Sequence, residues 1–379
     1  MPRNINQRLN SLHMRRMGTD RATHVAMDSA TNTFAKSAAL ESYQKRQADE
    51  PYTRYVLGAM QEVDAEYTRI SIETAQRIGR QLDQALAESG YPVEFRLQGS
   101  VPLNIHIRGV SDVDLLTLSA DFHTYSPAGS RATAGHYVPA ASWRTSKGVL
   151  LSIRQETEKT LRARYSAATV DTGGGKAVKI YGGSLPRPVD VVPSHWFDTF
   201  DYQQSGYERD RAVTIFDKNN DKTIENYPFL HIALIDTRDT QTAGSLKKAI
   251  RLCKNVRSDS DYKIDLPSFD IASLMYHSDQ TALARGSYYE LAVLTEAQRH
   301  MDYLYHHKSY AQTLRVPDGS RRILDTDEKF EAMKLLSYEL DDLLRQVAKE
   351  QKPLLRYTEQ LSLTESREAV NLLRLPQLY

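Results

Sequence analysis

Hydrophobic positions repeat along this chain with two different periods, and the change of period divides it into a strand-bearing part and a helical part. From about Tyr52, the residues Val56, Met60, Val63, Tyr67, Ile70, Ile78, Leu82 and Ala85 recur at helical spacing until Gly90 and Pro92, which predicts one long helix with a buried stripe. At about 1.5 Å per residue such a helix reaches roughly 55 Å, enough to brace more than one lobe. Strand patterns follow at residues 93 to 98 and through Asp112 and Asp114, then a helix near Leu150 to Ala163. A hairpin of RYSAATVD and KAVKIYGG turns at Gly173, Gly174 and Gly175, and the next strand, PRPVDVVPSHW, has prolines to fix its ends. From about residue 240 the pattern is helical: Thr242 to Val256, Ser268 to Tyr276, Ser287 to His307, and Thr326 to Glu350 with a capping-box-like start at Asp325 and Glu328. The first 50 residues are polar and weakly patterned. These runs predict an α+β fold with a polar segment over 1–50, a mixed-sheet core with its long helix over 51–235, and a helical domain over 236–379.

Composition narrows the class. With 40% hydrophobic and 26% charged residues in 379, the chain is neither disordered nor fibrous. Its one cysteine, Cys253, falls on the apolar side of a predicted helix, which excludes an intrachain disulfide, suits a reducing cytoplasm and predicts packing rather than reactivity. No apolar run reaches the length of a membrane span, and MPRNINQRLNSLHMRRMG lacks the apolar core of a secretion signal. Its arginines suggest a transit peptide, a pattern that Asp20 and Asp28 interrupt. The net charge is +1, from 49 basic and 48 acidic residues, so no global positive field draws the protein onto long nucleic acid, and small nucleotides are the expected substrates.

The chemistry concentrates in QGSVPLNIHIRGVSDVDLLTL. A strand's period of two puts Asp112 and Asp114 on one face, with Val113 and Leu115 on the other. Two carboxylates held roughly 5 Å apart repel by about 3 kcal/mol at an effective dielectric near 20, so the pair calls for a cation. Magnesium, which takes one or two carboxylates together with the phosphates of its substrate, is the natural partner, and manganese can substitute. Asp190, between Val189 and Val191 on a later strand, supplies a third carboxylate for a two-ion site, beside an attacking hydroxyl whose proton it helps remove. Gln98, Gly99 and Ser100 form the expected phosphate-binding turn, with a short helix opening after it. Against this stands the reading of DVD as turn chemistry or surface charge; the Gly-Ser pair, the apolar strand and the later VDVV together favour the site. GGGK at the hairpin lacks the spacing of a phosphate loop and reads as a turn.

The Gly-Ser pair, two aspartates on one strand and a third on a later one resemble the DNA-polymerase-β-like nucleotidyltransferases over roughly residues 95 to 195. Downstream, ENYPFLHIALID, TAGSLKKAIRLCKNVR and LPSFDIASLMYH resemble the cGAS/DncV-like (CD-NTase) branch, whose members make cyclic oligonucleotide signals in animal innate immunity and bacterial anti-phage systems (CBASS). Where many relatives have an aromatic residue and Gly-Thr after the Gly-Ser pair, this chain has Val101, Asn104 and Ile105, leaving backbone donors to meet the phosphate. The resemblance implies that Lys254 and Ser268, the latter followed by Phe269, contact a nucleotide triphosphate. Read on their own, Lys254 lies with Lys247, Lys248 and Arg251 on or beside the polar side of an amphipathic helix, either solvated or facing an anion, and Ser268 reads as an N-cap.

The resemblance further implies a polymerase-β-like palm with a helical lobe and a long spine helix. Such a protein joins nucleoside triphosphates, ATP or GTP foremost, into a cyclic di- or trinucleotide with release of pyrophosphate, and a separate effector protein reads the product. Two other readings stay open on the sequence: transfer of a single nucleotide to a protein, small molecule or RNA end, and nucleotide binding without catalysis.

Overall fold

The computed structural model describes residues 4–17, 50–138, 141 and 143–375. The chain folds as two units, one of Asp64–Asn104 and Ser111–Leu234, the other of Met1–Val63, Ile105–Val110 and Ile235–Tyr379. We call them the sheet unit and the helical unit.

In the sheet unit, β1 (Val93–Gln98), β2 (Val113–Tyr125), β3 (Thr169–Asp171), β4 (Val178–Tyr181) and β5 (Val189–Asp198) lie in the order β1-β2-β5-β4-β3, and β6 (Ala212–Asp217) and β7 (Lys222–Asn226) continue from β5. β2 and β5 run parallel and the other pairs antiparallel, so the sheet is mixed. A parallel pair needs a long crossover, and the helix Ser146–Arg164 together with the β3–β4 hairpin provides it. Alternation along the strands separates two cores. Val113, Leu115, Val178, Ile180, Val189 and Val191 pack with Ala75, Ile78, Leu82 and Leu86 of the helix Ala65–Glu88 and with Ile153 and Leu161 of the crossover helix. Leu116, Leu118, Val192 and Trp196 pack with Val213 and Ile215 on the other face. A slip of one residue would exchange these faces, so burial pins the register.

Several expectations need correction. The single long helix is two, Pro51–Met60 and Ala65–Glu88. Gln61 is extended, and the Asp64 carboxylate accepts from the backbone N–H of Glu66 (2.9 Å) and Tyr67 (3.2 Å), which starts a new helix where the apolar spacing runs on uninterrupted. Residues 5–17 of the weakly patterned N-terminus form a helix whose Arg8 and Arg15 are buried against Glu339 and Asp259, so these arginines serve packing. Asp20 and Asp28 lie outside the described residues. Pro193 sits inside β5 rather than at its end. It falls between Val191, the last partner of β4, and Ser194, the first partner of β6, where a missing N–H is tolerated. The β6–β7 hairpin was not anticipated. In the helical unit the expected Thr242 to Val256 helix runs Ser245–Asp259, and the expected Ser287 to His307 helix begins only at Ala292. The last long helix, Asp327–Gln351, is capped by Thr326, while Asp325 pairs with Lys329 at 2.7 Å instead. Ser268–Tyr276 is as expected. Among the described residues no helix is long and apolar enough to cross a membrane.

Candidate active site

One row of polar residues crosses the sheet unit. Gln98 on β1 is in register with Asp114 on β2, Asp114 with Asp190 on β5, Asp190 with Lys179 on β4, and Lys179 with Asp171 on β3. Residues directly opposed across neighbouring strands project to the same face, with strands about 4.8 Å apart. The row therefore lies on the face opposite Val113, Leu115, Val178, Ile180, Val189 and Val191, at the end of the sheet where β1 stops and β2 and β5 begin.

Asp112 joins the row from outside the ladder. It was expected on the strand with Asp114, but β2 begins one residue later, at Val113, whose N–H donates to Pro188 O at 3.3 Å. Its Oδ2 instead accepts from the Lys179 ammonium. Sequence reasoning missed Lys179. Its signal was its place between Val178 and Ile180, the same alternation that marked Asp190 between Val189 and Val191. Burial pushes the Asp190 carboxyl above its ordinary value; Lys179 counteracts this, and the charges of Asp112 and Asp171 add to it.

Gly99 is fixed by its neighbour. Its φ is +79°, and a Cβ there would stand 2.3 Å from Asp114 Oδ2, so the carboxylate rests directly over the glycine backbone. No helix opens after Ser100. A run of turns follows, closed by Asn104 N–H on Val101 O at 3.0 Å, and Asn104 at φ +54° lies outside the helical basin. The glycine turn between β3 and β4 closes over Arg154, which donates to the carbonyls of Gly174 (2.7 Å) and Gly175 (2.9 Å), in keeping with its reading as a turn.

The donor set suits a hard divalent cation. Asp114 and Asp190 share one end of one face, Asp112 lies just outside the strand, and all three offer carboxylate oxygens, the donor type that such an ion takes. Among the described residues no three His, Cys, Asp or Glu side chains converge on one point as folded, Asp112 being turned to Lys179.

Lys254 and Ser268 belong to the helical unit. Lys254 is not on a polar helix face. It is buried, and its ammonium donates to Ile105 O at 2.6 Å. Arg251 is likewise interior and donates to Met60 O at 2.8 Å, with burial lowering its pKa to about 10. Long stems let both cross apolar surroundings to reach backbone carbonyls. Lys247 pairs with Asp236 at 2.6 Å. Ser268 is the first helical residue rather than the N-cap, which is Pro267, and its hydroxyl accepts from Arg257 Nη2 at 3.1 Å. Cys253 is buried beside Met275 Sδ (3.7 Å), and burial pushes its thiol up to about 12, so it packs as expected.

Residues 233–345 match the family model of the cGAS/DncV-like nucleotidyltransferase C-terminal helical domain. Over 357 residues the chain is 41% identical to the cyclic dinucleotide synthase CdnE of Yersinia aleksiciae, covering 90% of this chain and 92% of that protein. It belongs to the cGAS/DncV-like nucleotidyltransferase family. A c-di-GMP synthase of a Lachnospiraceae bacterium is 30% identical over 264 residues, 65% of this chain and 75% of that one. The solved structure of the STING-associated CdnE c-di-GMP synthase from Capnocytophaga granulosa superposes with a TM-score of 0.68 at 26% identity, covering 90% of this chain and 97% of that chain. The α+β architecture of this family member, a mixed sheet with a helical C-terminal domain, is thus that of the family.

Proposed function

We propose that the protein is a cyclic oligonucleotide synthase that joins nucleoside triphosphates, ATP or GTP foremost, into a cyclic di- or trinucleotide. The observation that carries this reading is the register of Asp114 with Asp190 beside Asp112, in a chain 41% identical to a cyclic dinucleotide synthase over nearly its whole length. Each step forms a bond between a ribose hydroxyl oxygen and an α-phosphorus and breaks the bond from that phosphorus to pyrophosphate. The hydroxyl proton goes to a base, and Asp190, whose half-buried carboxyl binds protons more readily than an ordinary aspartate, takes that role. A second attack of the same kind, by the linear intermediate on itself, closes the ring.

Asp112, Asp114 and Asp190 would hold two magnesium ions, or manganese in their place, which when bound neutralise the charge on the transferring phosphoryl group. The backbone donors of Gly99 and Ser100, with the Gln98 side chain at the end of the row, receive the triphosphate. In the helical unit, Ser268, its hydroxyl bonded to Arg257 Nη2, and Lys254, whose ammonium donates to Ile105 O, are the candidate triphosphate contacts. A separate effector protein, in an anti-phage response within the cytoplasm, reads the product; the STING association of the Capnocytophaga granulosa relative supports that arrangement.

Incubation with α-labelled ATP, GTP, CTP and UTP in magnesium should yield a small product resistant to phosphatase. Asp114→Ala and Asp190→Ala should each lower its formation by about a hundredfold or more while the melting temperature holds. Only phosphatase-sensitive products, or activity retained in both variants, would refute the assignment.

A further inference from the structure

Lys179 is the one cation in the row that crosses the sheet, and its ammonium is bonded to Asp112 Oδ2. In register it stands between Asp190 and Asp171. Its side chain is 37% exposed and that of Asp112 is 19% exposed, so neither is locked into the core. A lysine ammonium is a compact point charge on a flexible four-carbon stem, able to exchange one carboxylate for another without moving the backbone. Asp171, directly opposite on β3, is such a second carboxylate; its Oδ1 is already oriented by the backbone N–H of Gly173 at 2.8 Å.

We propose that Lys179 is a positioning residue that competes with the divalent cation for Asp112 and thereby sets how tightly the site loads metal. The proposal rests on reading Asp112, Asp114 and Asp190 as cation ligands. With an ion held at Asp112, the ammonium would give up that carboxylate and turn toward Asp171. The site then loads fully only when the incoming charge outcompetes the lysine, so metal affinity in the absence of nucleotide is held down. A triphosphate that brings its own metal overcomes the competition.

The test is direct binding of Mn2+ alone to the full-length protein, followed by the paramagnetic signal of unbound ion. Removing one positive charge a few ångströms from a divalent site should tighten binding roughly tenfold in Lys179→Met. Lys179→Arg should bind like the parent protein, because it keeps the charge. Lys179→Gln serves as the second neutral variant if the methionine protein fails to fold. Asp190→Asn in the parent background should weaken binding. Unchanged or weaker Mn2+ affinity in both neutral variants, with the Asp190→Asn effect intact, would overturn the role of Lys179 alone. Mn2+ binding indifferent to Asp190→Asn would instead overturn the reading of the carboxylates as ligands.

Discussion

Gly99 joins the turn to the carboxylates at the scale of a single residue. A β-carbon there meets two separate obstacles: a left-handed φ of +79° and an Asp114 oxygen 2.3 Å away. The first costs about 1–2 kcal/mol for an L-residue. The second cannot be relieved without moving the Asp114 carboxylate off the glycine. Gly90, in the same unit at φ +82° with no atom within 4 Å of an added β-carbon, separates the two effects. Gly99→Ala and Gly90→Ala should lose similar stability, about 1–2 kcal/mol by denaturant unfolding. Only Gly99→Ala should lose synthase activity, by about a hundredfold, as measured in the phosphatase-resistance assay. Equal activity in the two variants would mean that the Asp114 carboxylate is not held by the glycine. Glycine at this turn lets an acidic side chain from the next strand lie on its backbone.

Among elements, the N-terminal helix Ile5–Met17 shows what a polar pattern conceals. Arg15 donates to both oxygens of buried Asp259, the second at 2.6 Å, and the Tyr55 hydroxyl donates to the same carboxylate at 2.8 Å. Replacing Arg15 by alanine leaves that buried charge without its cation and should cost about 3–5 kcal/mol by denaturant unfolding. Arg15→Ala together with Asp259→Asn should recover much of the loss, and failure to recover any would show that the contact is not the source of stability. The helix was hard to read because its buried face mixes Ile5 and Leu12 with Arg8, Arg15 and Arg16, whose stems a hydrophobic pattern counts as polar. β1, the glycine hairpin and Ser268–Tyr276 were legible because their signals are local: alternation, a glycine turn, a proline before an apolar run. The break at 61–64 was not, since Val63 continues the apolar spacing across it and only the Asp64 cap reveals the new start. That Asp114 and Asp190 share one face of the sheet could be read from their alternation with valine and leucine, whereas Asp112, expected on the same strand, lies just before it. The pairing of Lys179 with Asp112 and the interior placement of Lys254 could not be read, because both depend on partners brought near by folding, Asp112 in one case and Ile105 in the other.

For the molecule as a whole, charge decides which partners are open to it. The 49 basic residues nearly balance the 48 acidic ones, and several strong cations are spent inside the fold. Arg8 and Arg15 are paired to buried acids, Arg154 is bonded to the carbonyls of the glycine turn, and Arg251 and Lys254 are bonded to interior carbonyls. On the surface, Arg69 is held by Glu66 and Glu73, and Arg96 by Glu208. A phosphate backbone is bound non-specifically through lysines and arginines that displace its counterions, and the cations named here are already committed to acids or carbonyls. Binding of labelled duplex DNA or RNA, followed by anisotropy at about 150 mM salt where the screening length is roughly 8 Å, should therefore be no tighter than about 10⁻⁴ M. Adding duplex should leave the rate of cyclic product formation unchanged. Under the proposed function mononucleotide triphosphates would meet a different field, because divalent ions held by Asp112, Asp114 and Asp190 would match their charge over a few ångströms rather than across the surface. Submicromolar duplex affinity with a steep loss at higher salt would show a basic surface that the charge balance hides, and would reopen a polymer as substrate or activator.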